Sequence, residues 1–270
     1  MKPKVLILLF LWVALLTPVA AQDYDAGMRA YRAKDYAGAV RQWTPLAKQG
    51  IARAQNSLGY MYAAGRGVKK NSKTAASWYR KAADQGNARA QSRLGELFEA
   101  GRGVAKSYQE AQKWYRKAAE QGLARAQYTL ARLHWFGRGV KKNYPEAAKW
   151  YRQAAEQNYA KAQSSLGYMY IKGQGLKKSS AMAAGWYRKG AALGNPVAQS
   201  RLSSLLAAGK GVAKDSVEAY FWMTVAIKRS SGKLKKGITA KRARLAKSLT
   251  AAQIKSADKR AAGWRVKRRK

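Results

Sequence analysis

The sequence predicts an all-α fold, an α-solenoid of helix hairpins stacked at a period of 36 residues. Three landmarks carry that expectation. The string WYRKAA begins at Trp78 and Trp114, its variants WYRQAA and WYRKGA begin at Trp150 and Trp186, and Trp222 continues the series. Ala-Gln recurs from Ala54, Ala90, Ala126, Ala162 and Ala198. A Gly-x-Gly turn recurs from Gly65, Gly101, Gly137, Gly173 and Gly209. All three keep one register over five units.

Taken in chain order, the first element is a leader. Lys2 and Lys4 precede an apolar run from Val5 to Leu16, and small residues follow at Ala20 and Ala21, before Gln22. A charged start, a short apolar middle and a small-residue exit describe a secretory signal peptide over residues 1–21. The run is too short for a bilayer span, which needs about 20 apolar residues. The expected mature chain starts near Gln22, is exported and has no transmembrane span. Its expected compartment is the periplasm, with secretion or surface attachment as the alternatives.

Residues 22–50 read as a degenerate leading helix pair, with Tyr31, Asp35, Tyr36, Ala39 and Trp43 placed as in the later pairs. Five repeats follow, over residues 51–86, 87–122, 123–158, 159–194 and 195–230. The first helix of a repeat, such as 88–100, carries Ala90, Leu94, Leu97 and Phe98 on one helical stripe. Gly95 interrupts that stripe with a small residue, which should let the tryptophan-bearing helix approach. Gly101 suits a left-handed C-cap. Second helices open on Ser107-x-x-Glu110, Asn143-x-x-Glu146 and Asp215-x-x-Glu218, which have the form of capping boxes, and the one in 87–122 ends near Gln121. Tryptophans 78, 114, 150 and 186, held at fixed register, are read as core.

After Ser230 the composition changes. Residues 231–237 read as a linker, 239–248 and 251–264 as helices, and Thr250-x-x-Gln253 as a helix start. Leu245, Leu249, Ile254, Ala257, Ala261 and Trp264 could cover the end of the last repeat, so residues 231–264 form a basic cap. Residues 265–270 are a basic tail.

The motif A-x-AQ-x-x-LG-x-MY-x-x-G-x-GV…A-x-x-WYRKAA-x-QG, clearest between Ala52 and Gly86, resembles the Sel-one-like repeat of the tetratricopeptide superfamily. The resemblance covers residues 51–230 and fades in the last unit, where Leu205-Leu206 replaces Met-Tyr and Met223 follows Trp222. It implies a right-handed solenoid, an adaptor or scaffold role, and first helices that line a concave groove. A cysteine-rich subgroup looks linked to β-lactam chemistry; this chain has no cysteine.

The absence of cysteine excludes disulfides, thiolate metal sites and a cysteine nucleophile, and a single histidine, His134, excludes a multi-histidine centre. No cofactor, metal or catalytic set is expected, so the chain is read as no enzyme. His134 stands where other units carry Tyr62, Phe98 or Tyr170 and is read as a packed substitute. Glu96 and Glu99 share a helix face without a second acid/base group in register and are read as surface charge.

Two interaction surfaces are expected. Positions two, six and nine after each Ala-Gln alanine vary while the scaffold repeats, and they lie on one helical face. They include Tyr60, Tyr128, Arg132, Trp135 and Tyr168, residue types that anchor interfaces. A protein or peptide, with the cell envelope as a candidate source, is the expected groove partner, held by a monomer. The second surface follows from charge: 54 Lys+Arg against 13 Asp+Glu give +41, and residues 228–270 alone carry 17 basic groups and one acid. Lys69, Lys70, Lys141, Lys142, Lys177 and Lys178 in the turns, with Arg268 and Arg269, could hold nucleic acid, an anionic envelope polymer or lipid phosphates.

Overall fold

A computed structural model describes residues 16–266, with side chains from residue 24 onward. Its described residues form 14 helices and no strand, and the chain divides into two compact units, Met1–Gln121 and Gly122–Lys270. The first holds α1 (Leu16–Arg32), α2 (Tyr36–Lys48), α3 (Ala52–Ala64), α4 (Ser72–Asp84), α5 (Ala88–Ala100) and α6 (Tyr108–Glu120). The second holds α7 (Ala124–Phe136), α8 (Tyr144–Glu156), α9 (Ala160–Lys172), α10 (Ser180–Ala192), α11 (Pro196–Ala208), α12 (Ser216–Lys228), α13 (Gly232–Ala246) and α14 (Ala251–Gly263). Inside each unit a helix packs on its hairpin partner and on the next helix along the chain, the stacked-hairpin arrangement of an α-solenoid. The expected leader lies outside the described residues, except that the α1 backbone begins at Leu16 and runs past Gln22.

The close approach inside a hairpin is made by tyrosine. A Cβ on Gly95 would lie 3.0 Å from the Tyr115 ring, and one on Gly167 would lie 2.7 Å from the Tyr187 ring. The tryptophan-bearing helix therefore approaches as expected, and the residue that the small position admits is the tyrosine next to the tryptophan. Tyr79, Tyr115 and Tyr187 are at most 2% exposed. The tryptophans are less uniform than a core reading requires. Trp114 and Trp150 are buried, whereas Trp78 and Trp186 are half-buried, with the ammonium groups of Lys81 and Lys189 at 4.7 and 4.4 Å from their ring centroids.

Helix starts follow the expected caps with one difference. Ser107, Asn143 and Asp215 each accept a hydrogen bond from the backbone N–H of the glutamate three residues on. Those glutamates do not close the box; they reach instead to Lys113, to the Trp150 Nε1 and to Arg260. The reciprocal box forms at Thr250 with Gln253. A better partner for each carboxylate, a cation or an indole N–H, outcompetes the N-cap amide.

The Ala-Gln landmark has a structural use. The Gln55 Nε2 donates to the carbonyl of Ala47, and Gln91, Gln163 and Gln199 repeat that bond to Ala83, Ala155 and Ala191. Each of these glutamines is at most 4% exposed, so the bond ties a first helix to the second helix before it. The Gln55, Gln91 and Gln127 Oε1 atoms accept in turn from Gln85, Gln121 and Gln157, all at 2.8 Å. Leu193 replaces that second glutamine, and the buried Gln163 Oε1 has no partner. Leu193 has the backbone of Gln157 (φ −83°, ψ 7° against −78°, 12°), so Leu193→Gln should restore the pair and stabilise the second unit. The expected gain is about 1 kcal/mol, read from urea unfolding.

At the chain end, the expected linker is helical: α13 starts at Gly232 and takes in residues 232–237. Ile238, 1% exposed, packs into a cluster with Met223 and Ala226 that Leu234 and Leu245 border. That burial overrides the poor helix propensity of Gly232 and Gly237. Ala257 and Ala261 are buried, Trp264 stands edge-on to Trp222, and Arg242 reaches both Asp258 and the Tyr220 hydroxyl. Arg268 and Arg269 lie outside the described residues.

Candidate functional site

The α7 sequence puts Tyr128, Arg132 and Trp135 on one face, at helical spacings of four and three. Helix α9 brings Ser164, Ser165 and Tyr168 opposite them, and α11 adds Val197 and Arg201. Tyr151 of α8 and Tyr187 of α10 complete the walls of a cavity of about 440 Å³, with Phe136 at its edge. The volume is in the range of ligand clefts, and the lining mixes apolar surface with a few polar groups as such clefts do.

The rings are held by one another. Tyr128 lies 5.6 Å from Tyr151 and 5.2 Å from Tyr159, centroid to centroid. Trp135 lies 4.9 Å from Tyr144 and 5.9 Å from Tyr168. It is half-buried, so one side packs between helices while the rest borders the cavity. The Arg201 guanidinium sits 5.8 Å from the Tyr168 centroid.

All charged residues in the lining are cationic. Burial raises the Tyr128 and Tyr151 hydroxyls above the usual tyrosine range and pushes Tyr187 up to about 12, with Arg132 and Arg201 opposing the shift. These phenols are therefore neutral at ordinary pH and available as donors. Neither Arg132 nor Arg201 has a carboxylate partner among the described residues.

Of the five residues expected in the groove, the structure brings Tyr128, Arg132, Trp135 and Tyr168 to this cavity. Tyr60 is not among them. It belongs to the first unit, with Tyr31 at 6.2 Å and the Arg66 guanidinium 5.6 Å from its ring. The Tyr31 hydroxyl donates to the Tyr60 hydroxyl, and that bond, with burial, raises Tyr31 above its ordinary value. Sequence reasoning missed Ser165 and Arg201, which stand three residues after an Ala-Gln alanine, a register position it did not follow. It also missed Tyr151 and Tyr187, because a tyrosine that recurs in four of five repeats reads as core alone.

The other singled-out groups are placed as follows. His134 is 7% exposed, in the slot that Phe98 and Tyr170 fill elsewhere. Glu96 pairs with Arg93 at 3.1 Å, and Glu99 accepts from the Tyr115 hydroxyl at 3.0 Å. Among the described residues no three His, Asp or Glu groups gather as a metal site would need, and no helix is long and apolar enough to cross a membrane. Lys69, Lys70, Lys141, Lys142, Lys177 and Lys178 are all exposed on their turns.

Comparison with known proteins adds the following. The Sel1 repeat model matches residues 52–87, 88–123, 124–159, 160–195 and 196–231. The crystal structure of a Sel1 repeat protein from Oxalobacter formigenes is 40% identical, over 76% of this chain and 85% of that one, with a TM-score of 0.72. The protective antigen c5321 of uropathogenic Escherichia coli strains, which displays an SLR fold, is 28% identical over 90% of this chain and 68% of that one, with a TM-score of 0.41. No curated protein matches the sequence.

Proposed function

The chain belongs to the Sel1 repeat family, and from that premise we propose that it is a non-catalytic scaffold that holds a protein or peptide segment in the second-unit cavity. The observation that carries this reading is the cavity itself: tyrosine and tryptophan walls flanked by two arginines without acidic partners, at 440 Å³. Interface energy concentrates in such aromatic and arginine anchors. We join to it the export expected from residues 1–21, with a periplasmic or other envelope partner.

The test is capture from envelope extract, using protein whose own N-terminus is first sequenced and should begin near Gln22. Trp135→Ala combined with Arg132→Ala should lose the partner in high salt while circular dichroism stays helical. Loss of one central anchor typically costs ~2 kcal/mol or more, about thirtyfold in affinity. Full retention of binding by the double variant in high salt would show the groove reading to be wrong.

A second reading rests on the exposed turn lysines and on α13, whose Lys233, Lys235, Lys236, Lys241 and Arg244 are all exposed. Such a surface would hold a polyanion through counterion release. Under that reading the captured partner leaves at high salt, and Lys141→Glu with Lys142→Glu weakens binding where the cavity variant does not.

A further inference from the structure

We infer that the second-unit cavity takes a peptide segment in which one large apolar or aromatic side chain is flanked by carboxylates. This rests on the groove reading above and deepens it. Arg132 and Arg201 come from different helices, α7 and α11, and meet different rings: Arg132 acts on Tyr128 and Tyr151, Arg201 on Tyr187 and Tyr168. Two guanidiniums at separate walls, with aromatic surface between them, match two carboxylates spaced around one apolar residue. A guanidinium offers a planar fork that pairs with a carboxylate bidentately.

A third group points the same way. Tyr187 lines the cavity, is 1% exposed, and its hydroxyl has no hydrogen-bond partner. A buried donor without an acceptor is costly, and an acidic or carbonyl oxygen entering the cavity would satisfy it. Two negative charges would likewise relieve two cations that no acidic side chain of the lining balances. A nucleic acid strand fits the same lining less well. No lysine enters it, so the cation supply stops at two, where a phosphate backbone needs a track of them.

The probe is a library of amino-acetylated, carboxy-amidated heptapeptides with a randomised centre. The flanks are Asp/Glu, their amides Asn/Gln, or Lys/Arg, and binding is titrated in high salt. The tightest binders should be the acidic-flanked peptides with a large apolar centre. Arg132→Gln with Arg201→Gln should weaken them at least about tenfold. Lys141→Gln with Lys142→Gln, which removes the same net charge outside the cavity, should leave them within about twofold, and this control separates recognition from the bulk field of the chain. Equal affinity for amide-flanked peptides, or equal loss in the lysine control, overturns the inference. If Trp135→Ala still weakens those peptides, the groove reading survives that failure. If Trp135→Ala weakens no peptide class, both readings fall.

Discussion

Gly103→Ala should destabilise the first unit by roughly 3–5 kcal/mol, although it adds one methyl group. Gly103 has φ +72°, where a side chain is strained, and its Cβ would lie 2.1 Å from the carbonyl oxygen of Ser72 at the start of α4. Left-handed strain costs about 1–3 kcal/mol, and the forced shift of a packed backbone adds a similar amount. Gly86 supplies the control. It has φ +85° and nothing within 4 Å of the added Cβ, so Gly86→Ala should cost only about 1–2 kcal/mol. Urea unfolding of both variants decides the matter; equal losses would mean that φ alone, and not contact with the preceding hairpin, requires glycine in the recurring Gly-x-Gly turn.

The second large effect is expected at Tyr115. It is 1% exposed, its ring fills the space that Gly95 leaves open, and its hydroxyl donates to Glu99 at 3.0 Å. Tyr115→Ala should cost about 3–5 kcal/mol, as buried aromatic truncations do, and Tyr115→Phe about 1 kcal/mol for the hydrogen bond. Trp78→Ala, in a half-buried ring, should cost clearly less than Tyr115→Ala. Amide exchange should lose protection first in α5 and α6, since damage in a stacked repeat stays near its unit. A Trp78→Ala loss as large as that of Tyr115→Ala would restore tryptophan as the dominant core residue.

How much of this could be read from residues alone differs by feature. The hairpin frame was legible because capping glycines, N-cap Ser, Asn and Asp, and the 36-residue period are local signals that repetition amplifies. Helix α5 runs over 88–100 as the apolar stripe predicts, and α6 stops at Glu120 beside the expected end. The second half of α13 was legible as a helix from residue 239, but its first turns, over residues 232–238, were not. Their sequence is rich in lysine and glycine, and what makes them helical is Ile238 against Met223 and Ala226, a contact outside any local window. At the cavity, the face of α7 was legible from helical spacing. Arg201 was not, since it meets Tyr168 and Tyr187 through the stacking of α11 on α9 and α10.

Sequence by itself determined the class of fold, the repeat length, the ends of the repeat helices and the family, because each follows from backbone preferences or from a pattern repeated five times. Tertiary structure alone decided three other things. It chose tyrosine over tryptophan for the close approach at Gly95, since only the packed geometry says which of two neighbouring rings faces the gap. It gave the Ala-Gln landmark its purpose, a buried amide bond between consecutive hairpins. And it gathered Tyr128, Arg132, Trp135 and Tyr168 around one cavity, while Tyr60, on the equivalent helix face of the first unit, packs with Tyr31: a cavity forms only where large side chains on neighbouring helices leave room between them.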